Sequence, residues 1–248
     1  IAYIINHAND CCVFVDGRLE AQFQPVLSQI PGVRHIIVCD PQGGLDDDRI
    51  ITLESLLSNR DCDYDWPEIP ETQAAGICYT SGTTGNPKGV VYSHKTTYLH
   101  ALASRSVDSF GVQERDTILM LPAMFHANAW GFPYSGWMSG ADMVMPGPHT
   151  QLAHLKTMIL ASQPTLTAMV PTILGDLLRD ETLTQAEMGS FRALVCGGSP
   201  VPSSMIEGAR DRWGVPVIQG WGMTETSPMC VLSHPPKDLA DTPETQWR

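Results

Sequence analysis

Positive charge, paired cysteines and long apolar runs are all scarce in this sequence, and each shortage closes off a class of function. Fifteen lysines and arginines stand against 27 aspartates and glutamates, a formal net charge of -12. That balance repels the phosphate backbone that a nucleic-acid binder must neutralise, so any phosphate site has to be built locally. No apolar run approaches the roughly 18 residues of a membrane-spanning helix. The seven cysteines form an odd set: Cys11 and Cys12 are adjacent, and Cys39, Cys62, Cys78, Cys196 and Cys230 are scattered. None falls into a C-x-x-C metal or redox spacing, and a reducing cytoplasm is the expected compartment. The chain begins at Ile1, and its first eight residues lack the charged start and apolar middle of a signal peptide, so an interior start is expected.

Two metal patterns also fail. Asp61, Asp63 and Asp65 alternate like the opening of a calcium loop, but Trp66 stands where the turn needs glycine and Thr72 where the bidentate glutamate belongs. His94, His100, His149 and His154 form no H-E-x-x-H pattern and share no helix face, so no transition-metal site is expected.

What is present is globular: 43% hydrophobic and 17% charged residues over 248 positions, enough for one large domain or two modest ones. Short runs rich in β-branched residues predict strands at 12–15, 35–39, 76–80, 117–121, 142–145, 166–170, 193–196 and 215–219. Helical-period segments lie between them, as in Leu152, Leu155, Met158 and Ile159, which stop before Gln163-Pro164. The alternation predicts an α/β fold of largely parallel sheets with helices on both faces. A polar, acidic stretch over 41–71, broken by Pro67 and Pro70, is expected to be a surface connection between lobes 1–72 and 73–248.

The chemistry concentrates in four segments. In Tyr79-Thr80-Ser81-Gly82-Thr83-Thr84-Gly85-Asn86-Pro87-Lys88-Gly89-Val90, a strand end opens into hydroxyls, glycines and one lysine. Gly82, Gly85 and Gly89 let successive N–H groups turn toward an anion. The hydroxyls of Thr80, Ser81, Thr83 and Thr84 add donors, and Lys88 brings the charge that a polyphosphate requires. A Walker A loop is excluded, because Pro87 and Gly89 break G-x-x-x-x-G-K-[ST]. A second segment, Gly220-Trp221-Gly222-Met223-Thr224-Glu225, follows the strand at 215–219. Taken alone it reads either as a capped turn or as a ligand loop at a strand's C-terminal end. A third, Cys196-Gly197-Gly198-Ser199-Pro200-Val201-Pro202, fails as a nucleophile elbow because Val201 replaces the second glycine, and alone it is a turn. The fourth runs from Met124 through His126 and Trp130 to Tyr134, where a lone histidine near aromatics is by itself more often a core residue than a ligand.

Together these segments resemble the signatures of adenylate-forming enzymes, and the fourth is similar to the branch of medium- to long-chain acyl-CoA synthetases. The resemblance implies part of the large N-terminal domain of an acyl-CoA synthetase-like fold. The implied activity is ATP-dependent conversion of a carboxylic acid, fatty acids foremost, to acyl-adenylate and then acyl-CoA. ATP, Mg2+ and coenzyme A are the implied cofactors. A small-molecule acid is the partner, with no nucleic acid and with a homodimer as the form expected of the full-length protein. By the same resemblance Thr80, Ser81, Gly82, Thr83, Thr84, Gly85 and Lys88 hold the β- and γ-phosphates. Thr224 contacts the α-phosphate, and Glu225, with Thr80, serves Mg2+. Gly197, Gly198 and Ser199 lie against the adenine, and Gly220, Trp221, Gly222 and Met223 flank the adenine and acyl region. His126 is placed near the reacting carboxylate. Trp130 lines or gates the acyl tunnel, with Val170 and Gly222 as further wall. Lys88, Thr224, Glu225 and His126 are the implied catalytic set. The family's ribose-binding aspartate and its small C-terminal domain are expected beyond Arg248, and a chain cut in this way is expected to be poorly stable alone. Two alternatives stay open: an adenylate-former for aryl or amino acids, and a non-catalytic nucleotide-binding fragment.

Overall fold

Strands form where β-branched and apolar residues cluster between turn residues, and this places eleven of them in the computed structural model, which describes residues 1–58, 60, 63–81 and 85–234. They are β1 Cys12–Asp16, β2 His35–Cys39, β3 Ile50–Thr52, β4 Ala74–Thr80, β5 Lys88–Ser93, β6 Thr117–Leu119, β7 Asp142–Val144, β8 Leu166–Met169, β9 Ala193–Gly197, β10 Val217–Gly222 and β11 Met229–Leu232. The α/β class read from the sequence is the class observed. Contacts divide the chain into two units: residues 1–69 with 81–89, and residues 70–80 with the described residues from Val90 onward.

The first unit is a parallel three-stranded sheet, β1-β2-β3. Ile36 and Val38 of β2 point into a core with Ile5, Phe23, Leu27 and Ile30. Arg49 fixes the entry to β3: its guanidinium donates to the carbonyls of Leu27 at 2.9 Å and Ile30 at 2.8 Å and pairs with Asp47 at 2.7 Å. That arginine holds Asp47 well below the usual carboxylate range, at about 2. The acidic stretch is therefore not a plain connection. It contributes β3 and the helix Leu53–Leu57, whose Thr52 cap accepts from the Ser55 N–H. Propensity missed β3 because three residues carry too little periodicity, and it is pairing with β2 that makes them a strand.

In the second unit, to which β5 belongs from Val90 on, β4 and β5 pair as a two-stranded sheet, and six strands form a larger one in the order β11-β10-β9-β8-β6-β7. All its pairs are parallel except β10 with β11. Side chains alternate between two cores, as the strand period requires. Leu119, Met169, Leu194 and Cys196 face the helices Leu152–Ser162, Pro171–Arg179 and Ser203–Trp213. Ile118, Leu166, Ala168 and Val195 face Phe132 and Phe110. Leu155 and Ile159 are almost fully buried, so the predicted stripe is core packing; each such side chain contributes about 1.5 to 3 kcal/mol. The helix ends at Gln163, in the left-handed region just before Pro164.

An ion pair between a buried aspartate and a partly exposed arginine joins the segments at the edge of the second core. Arg192 donates twice to Asp116 at 2.8 Å, and Asp116 also accepts from the Thr165 hydroxyl at 2.7 Å and the Gln113 N–H at 3.0 Å. Burial pushes the Asp116 carboxyl up, but these donors outweigh it and hold the group below its ordinary value.

Candidate active site

The large sheet reverses its direction of growth between β6 and β8. From β6 the chain crosses to β7 on one side, and from β8 it continues through β9 and β10 on the other. Open α/β sheets offer a ligand crevice at the carboxyl ends of the strands flanking such a switch. The segment after β6 carries His126 and Trp130, and Val170 directly follows β8.

After β6 the backbone makes an unusual turn. Ala127, Asn128, Ala129 and Trp130 all have positive φ, between 47° and 56°, followed by Gly131 at 77°. This is one turn of left-handed helix built from residues with a Cβ, which costs about 1 to 2 kcal/mol per residue and persists only where surrounding contacts enforce it. His100, from the helix His94–Ser104, places Nε2 3.0 Å from the Trp130 carbonyl oxygen. Burial pushes this imidazole below its ordinary value. Cys78 of β4 donates its thiol to Asn128 Oδ1 at 3.1 Å, and burial pushes that thiol up.

The Trp130 indole is buried against the end of β9. A Cβ on Gly197 would lie 3.5 Å from the indole Cη2 and only 2.5 Å from the Gly220 carbonyl oxygen, so β9 and β10 approach closely only because the position is glycine. Gly198 turns outward at φ 82°, with Val170 and the indole beside it, and Gly198 and Ser199 are exposed. Trp130, Val170, Gly197, Gly198 and Gly220, drawn from four separate segments, thus share one rim. At this rim the exposed backbone of Gly198 and Ser199 leaves main-chain polar groups open to a ligand.

Gly220, Trp221 and Gly222 lie in β10 rather than in a turn after it, which corrects the strand expected at 215–219. They pair with β11 through an irregularity between Trp221 and Gly222. The helical turn Thr224–Thr226 follows, pinned from two sides. The Tyr92 hydroxyl donates to the Thr224 carbonyl at 2.6 Å, and Thr226 Oγ1 donates to the Pro228 carbonyl at 2.5 Å while accepting from the Met223 N–H at 2.9 Å. Glu225 is thereby presented as an exposed carboxylate, an oxygen donor of the kind a hard divalent cation takes. Met223 and Trp221 are exposed beside it.

Between the left-handed turn, the helix His94–Ser104 and Pro228 lies a cleft with about 220 Å³ of empty space, part of it open to solvent. Tyr92, Thr97, His100, Asn128 and Tyr134 line it, side chains from separate segments that present mainly their apolar faces to the space. His126 is exposed at the start of the turn, which corrects the core reading of this histidine, while His100 is half-buried. Of the residues expected to hold phosphate, Thr80 ends β4 and is half-buried. Ser81, Gly85 (φ 112°) and Lys88 belong to the first unit and are exposed, with Lys88 opening β5. Gly82, Thr83 and Thr84 lie outside the described residues, as does Asp61. Among the described residues no cluster of three His, Cys, Asp or Glu side chains could hold a metal unaided.

Comparison with known proteins supplies the family. The family described as AMP-binding enzyme matches residues 1–246. The chain is 39% identical to a medium-chain-fatty-acid–CoA ligase of Ectopseudomonas oleovorans, over 95% of this chain and 44% of that protein. It is likewise 39% identical to a long-chain-fatty-acid–CoA ligase of Thermus thermophilus, over 99% and 44%. A 3-methylmercaptopropionyl-CoA ligase of Ruegeria lacuscaerulensis also matches at 39%, over 95% and 44%. Among solved structures, a long-chain-fatty-acid-CoA ligase from Archaeoglobus fulgidus superposes with a TM-score of 0.79 at 25% identity, covering 97% of this chain and 47% of that one. An anthranilate CoA ligase in complex with anthranoyl-AMP superposes at 0.85 and 22% identity, covering 94% and 45%, a likeness of fold. The chain spans less than half the length of the relatives it matches.

Proposed function

Because the chain belongs to the family of AMP-binding enzymes, we propose that it forms the nucleotide- and acid-binding core of an ATP-dependent ligase that joins a fatty acid to coenzyme A through an acyl-adenylate. The observation that carries this reading is the meeting of Trp130, Val170, Gly197 and Gly198 at the switch point of the large sheet. The identity to ligases named for medium- and long-chain fatty acids favours fatty acids over aryl or amino acids.

In this mechanism the substrate carboxylate attacks the α-phosphorus of ATP, the bond to the β-phosphate oxygen breaks, and pyrophosphate leaves. No protein nucleophile is required; the protein's work is to hold attacker and leaving group in line and to neutralise charge. We assign the β- and γ-phosphates to Lys88 and the hydroxyls and amides of residues 80–85, and the α-phosphate to Thr224. Glu225, with Thr80, would hold Mg2+, which would supply positive charge to neutralise the phosphates. Gly198 and Ser199 offer the base its bed, with Gly197 and Gly220 allowing the close approach beneath it. Trp221, Gly222 and Met223 flank base and acid. His126 faces the reacting carboxylate, and Trp130 and Val170 wall the acyl chain. In the second step the sulfur of coenzyme A attacks the acyl carbonyl, AMP leaves, and the thiol proton passes to solvent. We place the protein in the cytoplasm, where its free cysteines stay reduced; no helix among the described residues is long and apolar enough to cross a membrane.

The test is acid-dependent ATP–pyrophosphate exchange by the full reading frame that carries this chain. Exchange is expected with octanoate or palmitate. Exchange with benzoate or amino acids alone would replace the fatty-acid reading, and ATP binding without exchange for any acid would leave a nucleotide-binding protein.

A further inference from the structure

The left-handed turn that carries Trp130 is held from outside itself. Backbone bonds at its ends run from the Ala129 N–H to the His126 carbonyl at 3.1 Å and from the Gly131 N–H to the Asn128 carbonyl at 3.0 Å. L-residues avoid this conformation, so the turn relaxes unless other contacts prevent it. Two side chains from other elements close on it, His100 on the Trp130 carbonyl and Cys78 on the Asn128 amide oxygen. A carbonyl oxygen only accepts, so the 3.0 Å contact is a bond only if His100 carries a proton on Nε2. The following residue leaves room for that ring: a Cβ on Gly131 would lie 2.1 Å from it. Beyond the turn, the Trp130 indole rests on Gly197 and Gly198.

We propose that His100 and Cys78 are positioning residues of the acid site: they latch the turn Ala127–Trp130 and so fix the indole at the rim of the switch-point crevice. Neither touches substrate. His100 carries the larger share, because a thiol is a weak donor. The effect on acid binding rests on the function proposed above, whereas the latch rests on these contacts alone.

Cys78 reports on the latch directly, since its thiol is buried beneath Asn128. N-ethylmaleimide labelling of the full-length protein, followed by peptide mass spectrometry, measures how often the turn opens. In His100→Leu, labelling of Cys78 is expected to accelerate about ten-fold, the loss of one half-buried hydrogen bond, while Cys196, fully buried in β9, stays protected. His100→Gln, which restores a donor at the same reach, should return labelling to within about two-fold of the unsubstituted protein. In the exchange assay, His100→Leu should raise KM for the acid about ten-fold and KM for ATP less than about two-fold, a split that general destabilisation would not produce. Unchanged Cys78 protection in a folded His100→Leu variant would overturn the proposal. So would nitrogen-15 NMR of the unsubstituted protein placing the His100 proton on Nδ1 alone, a measurement that needs no variant to fold. If the labelling result holds but no acid supports exchange, the latch stands and the proposed function fails.

Discussion

Replacing Gly131 by alanine tests whether His100 fills the space the structure gives it, and Gly140 provides the control. Both glycines have nearly the same backbone, φ 77° and 75°. A Cβ at Gly140 would meet only Glu114 Cγ at 3.6 Å, an ordinary contact, whereas at Gly131 it would lie 2.1 Å from Cδ2 and Nε2 of His100. Gly140→Ala should therefore cost only the left-handed strain of about 1 to 2 kcal/mol, reduced by about 0.4 to 1 kcal/mol because alanine also restricts the unfolded chain. Gly131→Ala adds two further terms. The imidazole must swing off the Trp130 carbonyl, losing a hydrogen bond of about 0.5 to 1.5 kcal/mol, and the displaced ring must repack at about 1 to 3 kcal/mol. The expected excess of Gly131→Ala over Gly140→Ala is about 2 to 4 kcal/mol. Urea unfolding followed by tryptophan fluorescence measures it; with a slope of about 2 to 3 kcal/mol per molar, the midpoints should differ by about 0.7 to 2 M. Midpoints that coincide would refute the placement of His100 and the latch built on it.

Two more outcomes are expected. Lys88→Ala should slow acid-dependent pyrophosphate exchange roughly 10- to 100-fold, the loss of one charge-assisted contact of about 1.5 to 3 kcal/mol, and unchanged exchange would remove Lys88 from the phosphate site. Asp116→Asn should destabilise the protein by about 2 to 3 kcal/mol, below the usual figure for a broken buried pair because the Arg192 side chain is 32% exposed. The same group gives a pH signature. Its folded pKa is depressed, so its stabilisation is complete above the unfolded value of about 3.9 and is lost as pH falls through the lower folded value. Chemical denaturation as a function of pH should show that acid loss diminished in Asp116→Asn, and equal slopes in the two proteins below about pH 4 would count against it.

How much was legible from the sequence depends on whether each feature is set locally. The buried strands β2, β8 and β9 were readable because runs such as His35–Cys39 and Leu166–Met169 are apolar and bounded by turn residues. The helix Leu152–Ser162 was readable from its stripe and its stop before Pro164. Strands β3, β5 and β11 were not, because each becomes a strand only by pairing with a neighbour, and β11 does so by extending β10 through Gly220–Trp221–Gly222. Burial went the same way: a histidine near aromatics favours His126 for the interior, while the structure exposes His126 and half-buries His100 against the Trp130 carbonyl.

The α/β class and the family were thus set by the sequence alone, since these rest on local period, composition and contiguous motifs. Only the tertiary structure decided that Trp130, Val170, Gly197 and Gly220 share one rim, that Tyr92 pins the Thr224 turn, and that four residues with a Cβ are held left-handed by His100 and Cys78. Nothing in Ala-Asn-Ala-Trp favours that conformation. It exists because contacts with residues 30 and 50 positions away along the chain outweigh the local preference.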